Sequence, residues 1–182
     1  MQDALALESQ RRAARAIVEG RFKSQIVPVP VPSKKGPVPF EVDEHVRGDV
    51  TLERLASMKP VFKEGGTVTA GNASGLNDGA AAVVLASGAA VKARSLQPLA
   101  RLVAYAHAGV EPSLMGLGPI PATRLALQKA GLTIKDLDVI EANEAFAAQA
   151  AAVTKGLELD PAKVNPNGSG ISSATRWVPP AR

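Results

Sequence analysis

Three observations place the chain in the α/β class. Apolar runs of strand length alternate with segments of helical period over its 182 residues, the pattern of helices layered on sheets. A small, polar, glycine-rich stretch from Thr67 to Gly79 runs into a continuous apolar segment at 80–85. In Val139-Ile-Glu-Ala-Asn-Glu-Ala-Phe-Ala147 the period switches from strand-like to helix-like within a few residues. Asn143 then stands where a strand end meets a helix start, the place where open α/β sheets gather functional groups. Taken alone, Asn143 reads as a helix cap.

The elements follow in order. Asp3 to Glu19 reads as a helix, with Leu5, Ala13, Ala16 and Ile17 on one face and Arg11, Arg12 and Arg15 solvated. Asp3 is its candidate cap and Gly20 its stop. Ile26 to Pro32 alternates valine and proline, which confines it to an edge strand or an extended crossing segment. Lys34-Lys-Gly-Pro37 is a turn. A short helix starts near Thr51 and ends before Pro60. The run 80–85 reads as a buried strand, Ser87 as the cap of a helix to about Ala93, and residues 99–106 as another strand. Gly116-Leu-Gly-Pro-Ile-Pro121 is a rigid loop opening a helix that Gly131 stops, and Thr133 with Asp136 marks a short capped helix. Leu137 to Ile140 is the strand that leads into the Asn143 cluster.

Composition narrows the function. Aromatics make up 3% of the chain, so its core rests on close packing of small residues. The net charge of +4 comes from basic residues spread along the sequence. Without a dense basic run interleaved with aromatics, no nucleic-acid partner is expected; phosphates on a small ligand would suit the same bias. There are no cysteines, which excludes disulfides and any thiol nucleophile and suits a cytoplasmic setting. The two histidines, His45 and His107, have no ligand-spaced partner, so no metal site is expected. No apolar run reaches the length of a membrane span.

Three constellations carry chemistry. Gly71-Asn-Ala-Ser74-Gly75 precedes a strand candidate, so it is not a dinucleotide fingerprint; its small residues admit a ligand close to the backbone, and a plain turn is the simpler alternative. Met115, on the stiff loop, offers an adaptable apolar side chain that fills either a pocket or the core. Asn143 offers an amide able to hold a water or donate to a developing oxyanion.

Together with Gly20-Arg-Phe-Lys-Ser-Gln-Ile-Val-Pro28, Met115-Gly-Leu-Gly-Pro-Ile-Pro121 and Asn165-Pro-Asn-Gly168, these stretches resemble the thiolase family from Gln2 to about Ser172. The resemblance implies a thiolase-like layered α/β/α fold that is incomplete. Residues 2–76 would be the latter part of the loop domain, 77–95 the last strand and helix of the N-terminal half, and 96–172 the first part of the C-terminal half. It further implies that Asn143 holds the water of an oxyanion hole and that Ser74 contacts the pantetheine arm of coenzyme A. Arg47 would lie near the adenine and phosphate end, Phe62 and Ala70 would line the coenzyme A tunnel, and Met115, Ala145 and Phe146 would border the acyl pocket. Coenzyme A thioesters would be substrates, with no covalently held cofactor. The intact family forms homo-oligomers; for this chain the assembly state is open. Arg54 stands where relatives can place a small polar contact residue, so it is not counted among the contacts.

Thiolase chemistry needs a cysteine nucleophile, a histidine in a Gly-His-Pro motif and a second cysteine in a Cys-x-Gly-Gly-Gly motif. None of the three is in this sequence, so the chain is expected to be an acyltransferase piece unable to turn over alone. The alternatives are a degenerate fragment without function and a subunit completed by another chain. After Ser172 the family continues Leu-Gly-His-Pro-Val-Gly-Ala. Loss of one base from a GC-rich Leu codon would turn that continuation, extended by Pro-Gly-Ala, into Ser173-Ala-Thr-Arg-Trp177-Val-Pro-Pro-Ala-Arg182. Residues 173–182 are therefore expected to be a frameshifted tail. Unpaired sheet edges, exposed apolar surface and marginal stability are expected to follow.

Overall fold

The computed structural model describes residues 1–173. Helix α1 (Gln2–Val18) buries Ala6, Leu7, Ser9, Gln10, Ala13 and Ala16, a face set by the three- and four-residue spacing of small side chains. It ends as the glycine demands: Gly20 takes φ 67, and Arg21 N–H closes on the Ala16 carbonyl at 2.9 Å. Asp3 does not cap this helix, because Met1 occupies the cap position. Its carboxylate instead accepts from Asn72 Nδ2 at 2.9 Å. Arg12 is not simply solvated either. It pairs with Glu8 one turn earlier at 2.7 Å and donates to the carbonyls of Val164 and Asn165 at 2.5 and 3.3 Å. Ile17, placed on the buried face by its spacing, is 43% exposed, since α1 has already reached the end of its support there.

The Val/Pro run forms β1 (Val29–Val31), paired antiparallel with β2 (Val38–Phe40). Pro30 faces Pro39 in this register, where neither residue has an N–H to give, and the hairpin is exposed throughout. Helix α2 (Leu52–Ala56) is capped by the Thr51 hydroxyl, which accepts from Arg54 N–H at 3.3 Å. Helix α3 (Gly88–Ala93) is capped the same way by Ser87. Helix α4 (Pro119–Ala130) begins inside the segment expected to be a rigid loop, at Pro119, because proline at the first helical turn gives up no hydrogen bond. Gly131 ends it at φ 68. The 3-10 turn Ile134–Asp136 carries a full capping box with Thr133. Helix α5 (Ala147–Gly156) follows the Asn143 loop.

The three expected strands are corrected by the structure. Residues 80–85 and 99–106 have no strand partner among the described residues. They are exposed rather than buried: Val84 is 98% and Leu99 85% accessible. A continuous apolar run encodes burial against neighbours on both sides, and the described residues supply none. Leu137 to Ile140 is reduced to a single parallel bridge, Ile140 to Val164, closed by hydrogen bonds to the Lys163 carbonyl and from Asn165 N–H.

Two clusters form the interior. Ala6, Leu7, Leu55, Ala147 and Ile171 join α1, α2 and α5. Val153, Leu157, Leu159 and Val164 pack with Ile120, Ile134 and Ile140 beneath α4 and α5. The Asn143 loop lies between them. No helix among the described residues is long and apolar enough to cross a membrane. The expected frameshifted tail lies outside the described residues apart from Ser173, whose hydroxyl donates to Asp43 at 2.6 Å.

Candidate active site

The Asn143 loop is held from both sides while Asn143 itself is left open. Helix α5 takes Phe146 as its cap residue with no side-chain bond, so Asn143 is not the cap. Just before it, Ala142 is gripped by the Asn165 side chain. Asn165 Oδ1 accepts from Ala142 N–H at 2.8 Å and Nδ2 donates to the Ala142 carbonyl at 2.7 Å. Just after it, Glu144 is 5% exposed. Its carboxylate accepts from the Ser9 hydroxyl at 2.6 Å and from Asn165 Nδ2 at 3.0 Å. Ser9 lies 2.9 Å from the buried Ser172 hydroxyl, so α1 and the 165–172 segment share one polar network. The Asn143 carboxamide makes no hydrogen bond to any described residue and faces solvent. A fixed backbone thus presents an amide whose donors and acceptor are open to solvent or to a ligand.

That amide lies on the wall of a cavity of about 360 Å³. Met115, Ala145 and Phe146 line the same cavity, with Ile140 and Leu157 deeper in its apolar wall. Met115 is 71% exposed on the 3-10 segment Pro112–Leu117. The glycine-rich loop docks alongside: Ser74 N–H donates to the Ala145 carbonyl at 2.9 Å, and Ala147 N–H to the Asn72 carbonyl at 2.8 Å. Phe62 meets Phe146 edge-to-face, 5.9 Å between ring centres. Ser74 and Phe62 thus reach this cavity through its wall residues rather than by lining it.

Arg47 and Ala70 fall elsewhere, on a second cavity of about 530 Å³ between α1, α2 and the glycine-rich loop. Arg54, set aside on sequence grounds, lines it with them. Of the histidines, His45 borders this second cavity, and His107 stacks edge-on against Tyr105 at 5.7 Å.

Electrostatics separate the two glutamates of the loop from ordinary carboxylates. Burial raises Glu144 above its usual range, against the lowering pull of Ser9, Asn165, the Ile171 backbone and Arg12. Desolvation against the cavity wall, helped by the charge of Glu144, pushes Glu141 up to about 7 although the residue still reaches solvent.

The chain matches two family models, the thiolase N-terminal domain over residues 1–89 and the thiolase C-terminal domain over 96–174. The chain belongs to the thiolase family. It is 66% identical over 172 residues to beta-ketothiolase BktB of Cupriavidus necator, covering 94% of this chain and 44% of that protein. Among solved structures it overlays the Bacillus anthracis acetyl-CoA acetyltransferase with a TM-score of 0.89 at 52% identity, covering 94% of this chain and 44% of that one. Human mitochondrial 3-ketoacyl-CoA thiolase in complex with CoA gives 0.88 at 50% identity, covering 94% and 42%. The chain thus carries an incomplete thiolase α/β fold and spans less than half the length of these relatives.

No signal in the sequence marked Ser9, Asn72 and Glu144 as organisers of the Asn143 loop, and only a motif marked Asn165. Asn72 is 1% exposed and ties Thr67, Thr69 and Asp3 together. The signal available for Asn165 was its place in Asn165-Pro-Asn-Gly168; its left-handed φ of 47 gives that asparagine a conformational reason.

Proposed function

We propose that this chain recognises acyl-coenzyme A thioesters as part of a thiolase acyltransferase and does not turn them over alone. The single observation that carries the reading is the unpaired Asn143 carboxamide facing the cavity that Met115, Ala145 and Phe146 line. An acyl group would enter this apolar cavity. Asn143, through a bound water, would donate toward the thioester oxygen as it gains negative charge. Ser74, Phe62, Ala70 and Arg47 would follow the coenzyme A arm from the cavity outward; a solved human relative is a complex with CoA. The nucleophilic cysteine, the histidine that favours its thiolate and the second cysteine are absent from the sequence, so the step that forms an acyl-enzyme has no atom to start from. A cytoplasmic setting belongs to the same proposal.

Acetoacetyl-CoA thiolysis by the purified chain tests it, together with calorimetric titration of acetyl-CoA. The expected result is binding without turnover, and any turnover that needs no cysteine refutes the reading. The exposed runs at 83–85 and 99–105 favour a second reading, completion by a further polypeptide. Recovery of thiolysis on co-expression with the remaining portion of a thiolase supports that one.

A further inference from the structure

Met115 differs from the other two methionines of the chain in what surrounds its sulfur. Met58 is partly buried against the cluster that joins α1, α2 and α5, and its sulfur packs so closely on Gly71 that a Cβ there would meet it at 2.6 Å. Met1 is exposed at the head of α1. Met115 is exposed as well, yet it lines the 360 Å³ cavity. Its backbone is fixed. Gly118 N–H donates to the Met115 carbonyl at 3.1 Å, and a Cβ on Gly116 would come within 3.0 Å of Gln149 Cγ. A thioether in this position is open to a dissolved oxidant while it stays anchored to the cavity wall.

The wall also holds groups that suit the oxidised side chain. Asn143 presents its unpaired carboxamide, and Gln149 Oε1 is buried with no donor among the described residues. Each amide carries N–H donors, and a sulfoxide oxygen is an acceptor. Ile140, Val153 and Leu157 offer that oxygen nothing, so the amides are its natural partners.

We propose that Met115 is an oxidative modification site: a peroxide converts its thioether to the sulfoxide, which then obstructs the cavity. The sulfur lone pair attacks one peroxide oxygen, so that the S–O bond forms as the O–O bond breaks. The proton on the transferred oxygen passes to the departing hydroxide, which leaves as water. Sulfur gives up two electrons and the peroxide takes them. Loss of acyl-thioester binding rests on the function proposed above, whereas selective oxidation of Met115 does not.

The test treats the full chain with hydrogen peroxide, locates the oxidised methionines by peptide mass spectrometry and titrates S-acetylpantetheine by calorimetry. The expected result is that Met115 is oxidised several-fold faster than Met58 and that S-acetylpantetheine binding falls about tenfold. Methionine sulfoxide reductase with a dithiol should restore binding. Met115→Leu, whatever its own affinity, should bind equally before and after peroxide. Selective oxidation of Met115 in a chain that never bound S-acetylpantetheine supports the modification site and counts against the acyl-thioester reading. Equal oxidation rates at Met115 and Met58, undiminished binding after oxidation of Met115, or the same loss in Met115→Leu overturns the proposal.

Discussion

Gly170 lies directly against Asn143: a Cβ on Gly170 would come within 2.9 Å of Asn143 Oδ1 and 3.1 Å of the Glu144 carbonyl. The 169–172 segment therefore backs the loop that presents the amide, and no side chain fits between them. Gly170→Ala is expected to force the loop outward at a cost of about 1–3 kcal/mol. Urea unfolding measures the loss, and acetyl-CoA titration of the same variant should show weakened binding.

Asn165 makes three side-chain hydrogen bonds to Ala142 and Glu144. Removing them leaves buried groups without partners, so Asn165→Ala is expected to destabilise the chain by about 2–4 kcal/mol. Hydrogen exchange should then rise at Ala142, whose N–H is bonded to that side chain. Unchanged protection there would contradict the clamp.

The pH dependence has a definite sign. Glu141 rises from its ordinary 4.5 to about 7 through desolvation and then Glu144, and Glu144 itself is raised by burial. A folded pKa above the unfolded value means that the folded chain binds more protons between them. This contribution is fully present below about 4.5 and is lost as pH rises through 7. Glu141→Gln should therefore lose less stability than wild type between pH 5 and 8, as read from urea midpoints. Parallel curves for the two proteins would show that Glu141 titrates normally.

Exposed apolar runs at Val83, Val84 and Leu85 are 77–98% accessible. They are expected to drive concentration-dependent association and to bind a hydrophobic dye. Val84→Lys should reduce both, as measured by light scattering and dye fluorescence. A monodisperse monomer with one cooperative melt and no dye binding would contradict this.

The legible parts of the fold were the local ones. Thr51 and Ser87 capped their helices, and Gly20 and Gly131 stopped theirs, because each signal acts within a few residues. The strands at 80–85 and 99–106 were not realised, since a strand needs a partner that a periodicity cannot supply. For the site, the resemblance pointed to Asn143 and to Met115, Ala145 and Phe146 at an acyl pocket, which line one cavity, and to Arg47 and Ala70 along the coenzyme A arm, which line a second. The clamp around Asn143 joins residues 135 positions apart, Ser9 and Glu144, a separation no local pattern reveals.

The central claim is that the Asn143 cavity receives an acyl thioester. Titration of S-acetylpantetheine into the wild-type chain and Asn143→Ala, followed by calorimetry, tests it most directly. The account predicts saturable one-to-one binding by wild type and several-fold weaker binding by the variant, because one donor to the thioester oxygen is lost. Equal affinity of the two proteins, or no binding by wild type, would contradict it.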